Sequence, residues 1–516
     1  MSESADTEAP PSSDRKSLLL LLPLTVVSLV TWFIGTEYNT LADTKRSIAH
    51  PSSYVQPLIP IDADDDDDEG YPDKIFSKDW LDAVAVKDMT HLSTLQIACT
   101  EYNESVIPWD MMLDGNRAEV LINETDPEAY EKLRQCQDVD IYLPSGLRGF
   151  GYCEDAAAYT KFLRGRMLLK WVLDKKFTDP KTGRTDVSYH EMCPDTPILF
   201  MNHYWDGLRD DPKWPATKPT YLMPNIEMYE LEALHFRRSD VVICKTAVCA
   251  KYVRKWLAQE GNPTNTQVIY SRHTSSNLAS FARELLGEDA IASKNFTHPK
   301  FVHIVGSSRF KATGHVLECW LSRPDFPPID IYIAEKFYKR KYEERFAERI
   351  KASPNVNLYP GRVDSVTLGK IVAEASFFMC PSFQEGYGHY INQARAAGGL
   401  VVTTDIPPMN ELITPQSGMV FPVDALSSQN QFLGGTSKHP KGLHNVTGFV
   451  AGFDGNDVCD AVDTLLLTMP PQEREERALR AKQQYHFDTL YFAEKMQKLR
   501  IWGRRKQGYM RQEAVP

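Results

Sequence analysis

The hydrophobic pattern changes character several times along the chain. Leu18 to Ile34 carries only apolar, Ser, Thr and Pro residues, with no charge. A helix over this run rises about 26 Å, enough for a thin bilayer core of about 27 Å. Arg15 and Lys16 abut its N-terminal end, and the nearest basic residues beyond it are Lys45 and Arg46. That asymmetry predicts residues 1–16 as a cytoplasmic tail, 17–35 as a transmembrane signal anchor and the bulk of the chain in a lumen. A cleaved signal peptide is the alternative, but the run exceeds a typical signal-peptide core and no clear small-x-small site follows it.

Residues 36–90 lack apolar periodicity. Pro51, Pro57 and Pro60 precede Asp62 and the run Asp64 to Glu69, which predicts a solvated, self-repelling stalk. From about 95 to 297, short apolar runs predict strands at Ile141–Leu143, Pro197–Met201, Val241–Cys244 and Gln267–Tyr270. Between the first two, Tyr159, Phe162, Leu163, Met167, Leu168, Trp171 and Val172 share one face of a helix predicted over Glu154–Leu173. Glu154 and Asp155 start that helix, where its dipole favours acids.

From 298 on the rhythm becomes regular. Strands are predicted at Phe301–Val305, Ile329–Ala334, Asn355–Tyr359, Ser376–Cys380, Leu400–Thr404 and Met419–Phe421, with helix-like segments between. Leu368, Ile371, Val372 and Ala375 keep helical spacing behind Asp364 as a cap. Such alternation predicts parallel sheets with helices on both faces. Two charged helices are predicted near the end, at 473–484 and 489–502.

Composition narrows the classes. With 516 residues, 42% hydrophobic and 25% charged, the chain is globular rather than disordered, collagen-like or polytopic. A net charge of −11 weighs against a nucleic-acid partner. Asp62 and the run Asp64 to Glu69 supply seven of the negatives, so the rest of the chain carries only −4. Asn103, Asn123, Asn295 and Asn445 head glycosylation sequons, which suit a lumenal chain. All nine cysteines follow the anchor, which permits disulfides. Cys136 with Cys153 is the expected pair, while Cys244 and Cys249 fit no zinc pattern. Asp138-Val139-Asp140 precedes its apolar run instead of ending it, so neither it nor the stalk is expected to hold a metal.

Ligands of doubly wound sheets bind at the carboxyl ends of the strands, and two loops there carry chemistry. The first is Gly306-Ser-Ser-Arg-Phe-Lys-Ala-Thr313, after the 301–305 strand. Gly306 permits close backbone approach; Ser308, Arg309 and Lys311, with the next helix's amides, suit a diphosphate. A Walker-type loop would need a second Gly before the Lys, where Phe310 stands. The second is Cys380-Pro-Ser-Phe-Gln-Glu385-Gly-Tyr-Gly388, opening a helix that contains Gln393. Gly386 and Gly388 leave amides free to face a sugar or phosphate, and Glu385 can accept from sugar hydroxyls. An earlier Gly-rich stretch, Gly146 to Tyr152, reads as a plain turn or a weaker phosphate loop.

Residues 298–470 resemble the donor-binding domain of GT-B glycosyltransferases of the family 4 (group 1) kind. Glu385-Gly-Tyr387-Gly388 corresponds to that family's Glu-Gly-Phe-Gly, Glu411 to a later Glu, the 306–311 loop to its diphosphate loop, and Gly361-Arg362-Val363 to a turn near the base. Its second signature Glu is Gln393 here, and its Lys-Gly is Lys311-Ala312. The earlier half resembles the family only in the order of its elements.

The resemblance implies an α/β GT-B fold: two Rossmann-like doubly wound domains facing a cleft, preceded by the transmembrane helix and stalk. The expected bounds are 91–297 for the acceptor domain, 298–470 for the donor domain and 471–516 for helices crossing back. It implies retaining transfer from a UDP- or GDP-linked sugar to a glycan, glycoprotein or glycolipid acceptor, in a Golgi or endoplasmic reticulum lumen, without metal or cofactor. Glu385 is expected to be catalytic, with His203 and His273 as candidates in the cleft; each histidine also reads as a surface or core residue. Gly306, Ser308, Arg309, Lys311, Arg362, Gly386, Tyr387, Gly388 and Gln393 are expected at the donor. Asn225-Ile-Glu227 is a possible cleft acid. Because of Gln393, an inactive lectin-like or partner-binding descendant is the alternative.

Overall fold

The computed structural model describes residue 71 and residues 86–513, apart from 114–118, 150, 206, 210–213, 228–230, 427–442 and 444–449. The predicted tail, anchor and acidic run, and the sequon at Asn445, lie outside the described residues. Among the described residues no helix is long and apolar enough to cross a membrane. All of them belong to one compact unit, Pro60–Pro516.

The chain builds two sheets of mainly parallel strands. The first contains β1 (Ile107–Pro108), β2 (Asp140–Tyr142), β3 (Arg166–Leu168), β4 (Ile198–Met201), β5 (Thr220–Met223), β6 (Val241–Cys244) and β7 (Gln267–Tyr270). Their order is β1-β3-β2-β4-β5-β6-β7, with only the edge strand β1 antiparallel. The second contains β8 (Phe301–Gly306), β9 (Ile329–Ile333), β10 (Val356–Pro360), β11 (Phe377–Met379), β12 (Leu400–Thr404) and β13 (Met419–Phe421), all parallel. Its order, β10-β9-β8-β11-β12-β13, is that of dinucleotide-binding folds; the first sheet has the flavodoxin-like variant. Both α/β sheets are as expected.

Four of the first sheet's strands match the predicted runs, but the long helix predicted over 154–173 breaks. It runs Tyr152–Leu163, then β3 and a short helix Lys170–Asp174 follow. Arg164 ends the first helix in the left-handed region at φ 51. Gly165 must follow because a Cβ there would sit 1.9 Å from the Val139 carbonyl oxygen. Met167 and Leu168 are therefore buried in a strand, each flush with the core that helical spacing also allowed. β5 was missed as well.

The chain leaves β7 and crosses between the sheets at 271–277, ahead of the expected boundary at 298. Helix Leu278–Leu286 already packs on helix Ser365–Glu374 of the second sheet, so tightly that a Cβ on Gly369 would lie 2.5 Å from the Leu278 carbonyl. Asp364 caps the latter helix through the amides of Val366 and Thr367, as predicted. The two charged C-terminal helices are one continuous helix, Pro471–Glu513. Arg474 reaches the Phe296 carbonyl at one end, and Met496 and Leu499 enter the first sheet's core at the other.

Disulfides join Cys99–Cys153, Cys136–Cys193, Cys244–Cys249 and Cys319–Cys459; Cys380 is free and buried. The expected Cys136–Cys153 pair is thus incorrect. Cys153 sits in the first turn of its helix against helix Val86–Glu101, which carries Cys99. Asp140 is a structural acid: it is buried against the Arg166 guanidinium at 2.8 Å.

Candidate active site

The carboxyl ends of both sheets meet. In the second sheet the strand order reverses between β8 and β11, which is where such folds bind ligands. The loops leaving these two strands are the pair singled out in the sequence. The Phe383 amide donates to the Phe310 carbonyl at 2.8 Å and holds them together. Beneath them His303 bridges both strands, with Nδ1 2.7 Å from the Met379 carbonyl and Nε2 3.1 Å from Thr313 Oγ1. Burial pulls its pKa down to about 4, so it is a neutral spacer.

Glu385 and Lys311 flank one buried tyrosine. The Ser382 hydroxyl donates to Glu385 Oε1 at 2.7 Å and lies 2.6 Å from the Tyr390 hydroxyl. Lys311 Nζ sits 3.9 Å from the Tyr390 ring centroid. Burial lowers the Lys311 pKa, and the charge of Glu385 opposes that shift. An orienting carboxylate and a partly desolvated ammonium therefore stand together at the switch point. Ser308 caps the short turn Arg309–Lys311 by accepting the Phe310 amide. Ala312 follows at φ 46, the left-handed conformation that a glycine would take without strain.

Other predicted donor residues divide. Gly306 ends β8 at φ 62, and Gly388 opens helix His389–Ala396 at φ 103. Arg309 is exposed with its guanidinium over the Phe310 ring, and Arg362 is exposed after β10. Lys311 is the cation turned toward Glu385. The Tyr387 side chain is buried, and its hydroxyl donates to the His273 carbonyl at 2.6 Å, so it wedges the two halves together. The amide of Gln393 donates to Glu154 Oε1 at 2.7 Å and to Ser276 Oγ at 3.1 Å. Its nitrogen is engaged across the seam. Glu411 likewise crosses, accepting from the Ala247 and Val248 amides at the start of helix Ala247–Glu260.

The expected cleft histidines also separate. His203 follows β4, half-buried, and its Nδ1 has no partner among the described residues. His273 is wholly buried and stacks on Tyr159 at 5.1 Å. Its Nε2 lies 2.9 Å from Asp155 Oδ1 but off the line of a good hydrogen bond. Burial lowers its pKa to about 4. His273 is therefore a neutral residue buried at the seam.

What it packs against was not foreseen. Lys245 Nζ lies 3.0 and 3.1 Å from the two Asp155 oxygens, and His389 Nε2 lies 3.1 Å from Oδ1. Burial alone would raise the Asp155 pKa, but Lys245, then His389 and His273, hold it well below the usual range. Asp155, His273 and His389 have ligand atoms within 4.8 Å of one another, a metal-like spacing. Lys245 already supplies positive charge there. The one hint in the sequence was the acidic start of that helix.

Beside this cluster lies a second carboxyl. A Cβ on Gly386 would sit 2.5 Å from Glu227 Oε1 and 2.7 Å from Asn225 Oδ1, so only glycine lets the donor loop approach them. The Asn225 amide donates to Asn202 Oδ1 at 2.5 Å and fixes this loop to the end of β4. Burial pushes the Glu227 pKa up to about 7; Lys245 opposes this, and Glu385 and Asp155 add to it.

Two doubly wound sheets joined at their carboxyl ends, with a glycine-rich loop and a lysine at the second sheet's switch point, have GT-B architecture. A family model described as glycosyl transferases group 1 matches residues 333–431. This stretch includes Glu385 and the whole signature loop, and over it the chain is similar to group 1 glycosyl transferases. No curated protein matches the chain. Solved structures similar to it include alpha,alpha-trehalose 6-phosphate synthase from Burkholderia multivorans, at 11% identity over 61% of this chain and 72% of that one, with a TM-score of 0.44. Sucrose-phosphate synthase from Thermosynechococcus elongatus is 14% identical over 68% and 84%, with a TM-score of 0.43. Anabaena HepE in complex with UDP and glucose is 15% identical over 59% and 77%, with a TM-score of 0.38.

Proposed function

We propose that the chain transfers a sugar from a UDP- or GDP-linked donor to a glycan, glycoprotein or glycolipid acceptor, with retention and without a resident metal. The carrying observation is the grouping of Lys311, Glu385 and the Gly386–Gly388 turn at the β8/β11 switch point. Lys311 would face the leaving diphosphate, where negative charge develops in the transition state. The amides opening helix Thr313–Ser322 add favourable dipole there. Glu385, held by Ser382, would accept hydroxyls of the donor sugar.

The setting we propose is a type II membrane protein with its catalytic region in a Golgi or endoplasmic reticulum lumen. The apolar run 17–35 and its charge flanks support the anchor. Four disulfides suit an oxidising compartment. Asn103, Asn123 and Asn295 are all exposed, as glycosylation requires.

A thermal-shift and hydrolysis screen of the detergent-purified full chain against nucleotide sugars tests this reading. A donor that raises the melting temperature and is consumed supports it. Transfer abolished in Glu385→Ala with the fold intact assigns the site, and the anomeric configuration of the product decides retention. The Gln393–Glu154 contact favours one second reading, a non-catalytic sugar-binding descendant. Neither stabilisation nor turnover with any donor would favour that reading.

A further inference from the structure

The loops leaving β4 and β5 carry hydrogen-bonding capacity that the donor reading leaves unused. Asn225 Oδ1 and Glu227 Oε2, after β5, are buried and have no hydrogen-bond donor among the described residues. An acceptor atom desolvated without a partner is unfavourable, and a ligand that donates to it removes that cost. A Cβ on Gly386 would strike both side chains, so they stand beside the turn that carries Glu385 while belonging to the other sheet. Asn202, after β4, ties the two loops together. Its Oδ1 accepts the Asn225 amide at 2.5 Å, and its side-chain nitrogen donates to the Tyr152 hydroxyl at 2.5 Å. The next residues are His203, whose Nδ1 is likewise unpaired among the described residues, and Tyr204, whose ring meets Tyr152 edge-on at 5.4 Å.

Resting on the donor reading, we propose that this corner is the acceptor subsite and that it takes the terminal ring of an uncharged sugar, so that the protein extends an existing glycan. The unpaired atoms select that class first. A carboxyl oxygen and an amide oxygen side by side call for two hydroxyl donors on one ligand. A sugar ring carries several, whereas a serine or threonine side chain carries one. The walls agree: Tyr152 and Tyr204 are half-buried rings, apolar on the face and polar at the edge, as the C–H face of a sugar requires.

Charge excludes the anionic alternatives. The cation acting on Glu227 is Lys245, and its ammonium already lies 3.0 and 3.1 Å from the two Asp155 oxygens. Glu385 and Asp155 add negative charge at the same place. A phosphorylated sugar or a lipid phosphate would be repelled there, and a neutral ring would not. Asn225 and Glu227 position this ring; neither is given a part in bond making. Because both pack on the Gly386 turn, a sugar seated on them faces the donor sugar that Glu385 holds.

The test uses the detergent-purified full chain with the donor found by screening. The acceptor probes are methyl glycosides of glucose, galactose, mannose and xylose in both anomers, glucose 6-phosphate and mannose 6-phosphate, and a peptide of serine and threonine. We expect transfer to at least one methyl glycoside, with the phosphates and the peptide at the background of donor hydrolysis. Asn225→Ala and Glu227→Ala should each raise the KM of that glycoside by about ten-fold or more, with the donor KM within about two-fold of wild type. Preference of the wild type for a sugar phosphate or the peptide overturns the proposal. So does its failure to use any methyl glycoside while it hydrolyses the donor; both results are read without a variant. A rise in the donor KM in place of the acceptor KM gives the corner to the donor sugar and overturns the acceptor assignment. A wild type that binds no nucleotide sugar overturns the donor reading and this proposal together, whereas the other results, on an active enzyme, overturn this proposal alone.

Discussion

The two sheets solve the same architectural problem with chemistry arranged in opposite ways. On the second sheet, the groups we assign to the donor come from two loops at one switch point, and Ser382, Glu385, Gly386 and Gly388 fall within seven consecutive residues. On the first, the acids and bases that face them come from separate elements: Asp155 from a helix, Glu227 after β5, Lys245 after β6 and His273 in the crossover. The first arrangement is a motif; the second exists only after folding. Their electrostatics differ too. The donor side keeps Lys311 half-buried with a carboxylate for company, whereas the acceptor side buries an ion pair with two histidines around it.

The largest effect that sharpens this contrast is on stability. Asp155→Asn leaves Lys245 buried without its counter-charge, which should destabilise the protein by about 3–5 kcal/mol, measured by chemical denaturation. Asp140→Asn, which breaks the buried pair with Arg166 at the other end of the sheet, is the control. Both should lose stability, but Asp155→Asn alone should also disturb the seam and so reduce donor-induced stabilisation in the variant that remains folded. Equal donor responses would mean that the seam and the donor loop are uncoupled.

Gln393 offers a smaller and more specific break. Gln393→Glu restores the family's residue but sets a carboxylate against Glu154, losing a hydrogen bond made 2.7 Å long across the seam. We expect a loss of about 1–3 kcal/mol, recovered when Glu154→Gln is added. Stability unchanged in the single variant would show that this contact contributes nothing.

The pH dependence is broader and weaker per group. Burial lowers the pKa of His91 and His486 to about 3, and of His273 and His303 to about 4, from the ordinary histidine value of 6.5. Between those values and 6.5 the unfolded chain binds more protons, so stability falls as pH drops through the window. Glu227, raised to about 7, acts in the opposite direction between 4.5 and 7. Four histidines against this carboxyl predict a net fall in melting temperature from pH 6.5 towards 4. A rise over that range would contradict the burial of these rings.

This contrast also explains what the sequence could convey. All six strands of the second sheet follow from apolar runs, and its inner strands β8, β11 and β12, buried on both faces, read as near-continuous apolar stretches. Glu385 and Lys311 were legible because motif and loop coincide. On the first sheet β3 was hidden, since Met167 and Leu168 satisfy a helical face as well as a strand, and the decisive break at Arg164-Gly165 depends on the approach of Val139. Tyr387 and Gln393 lie inside the recognised motif yet turn to the seam, because their partners Ser276, Glu154 and His273 are more than a hundred residues away. Tyr71, within the predicted stalk, is similar: its hydroxyl reaches Asp488 at 2.6 Å and accepts from Arg395 at 2.9 Å, neither of which any local pattern reveals.

The central claim is that a nucleotide-diphosphate sugar binds between Lys311 and Glu385. Its most direct test is calorimetric titration of UDP- and GDP-sugars into the purified full chain, wild type beside Lys311→Ala. The account predicts that one donor binds the wild type and that the variant, folded to the same melting temperature, binds it at least ten-fold more weakly. Equal affinity in the two proteins would contradict it.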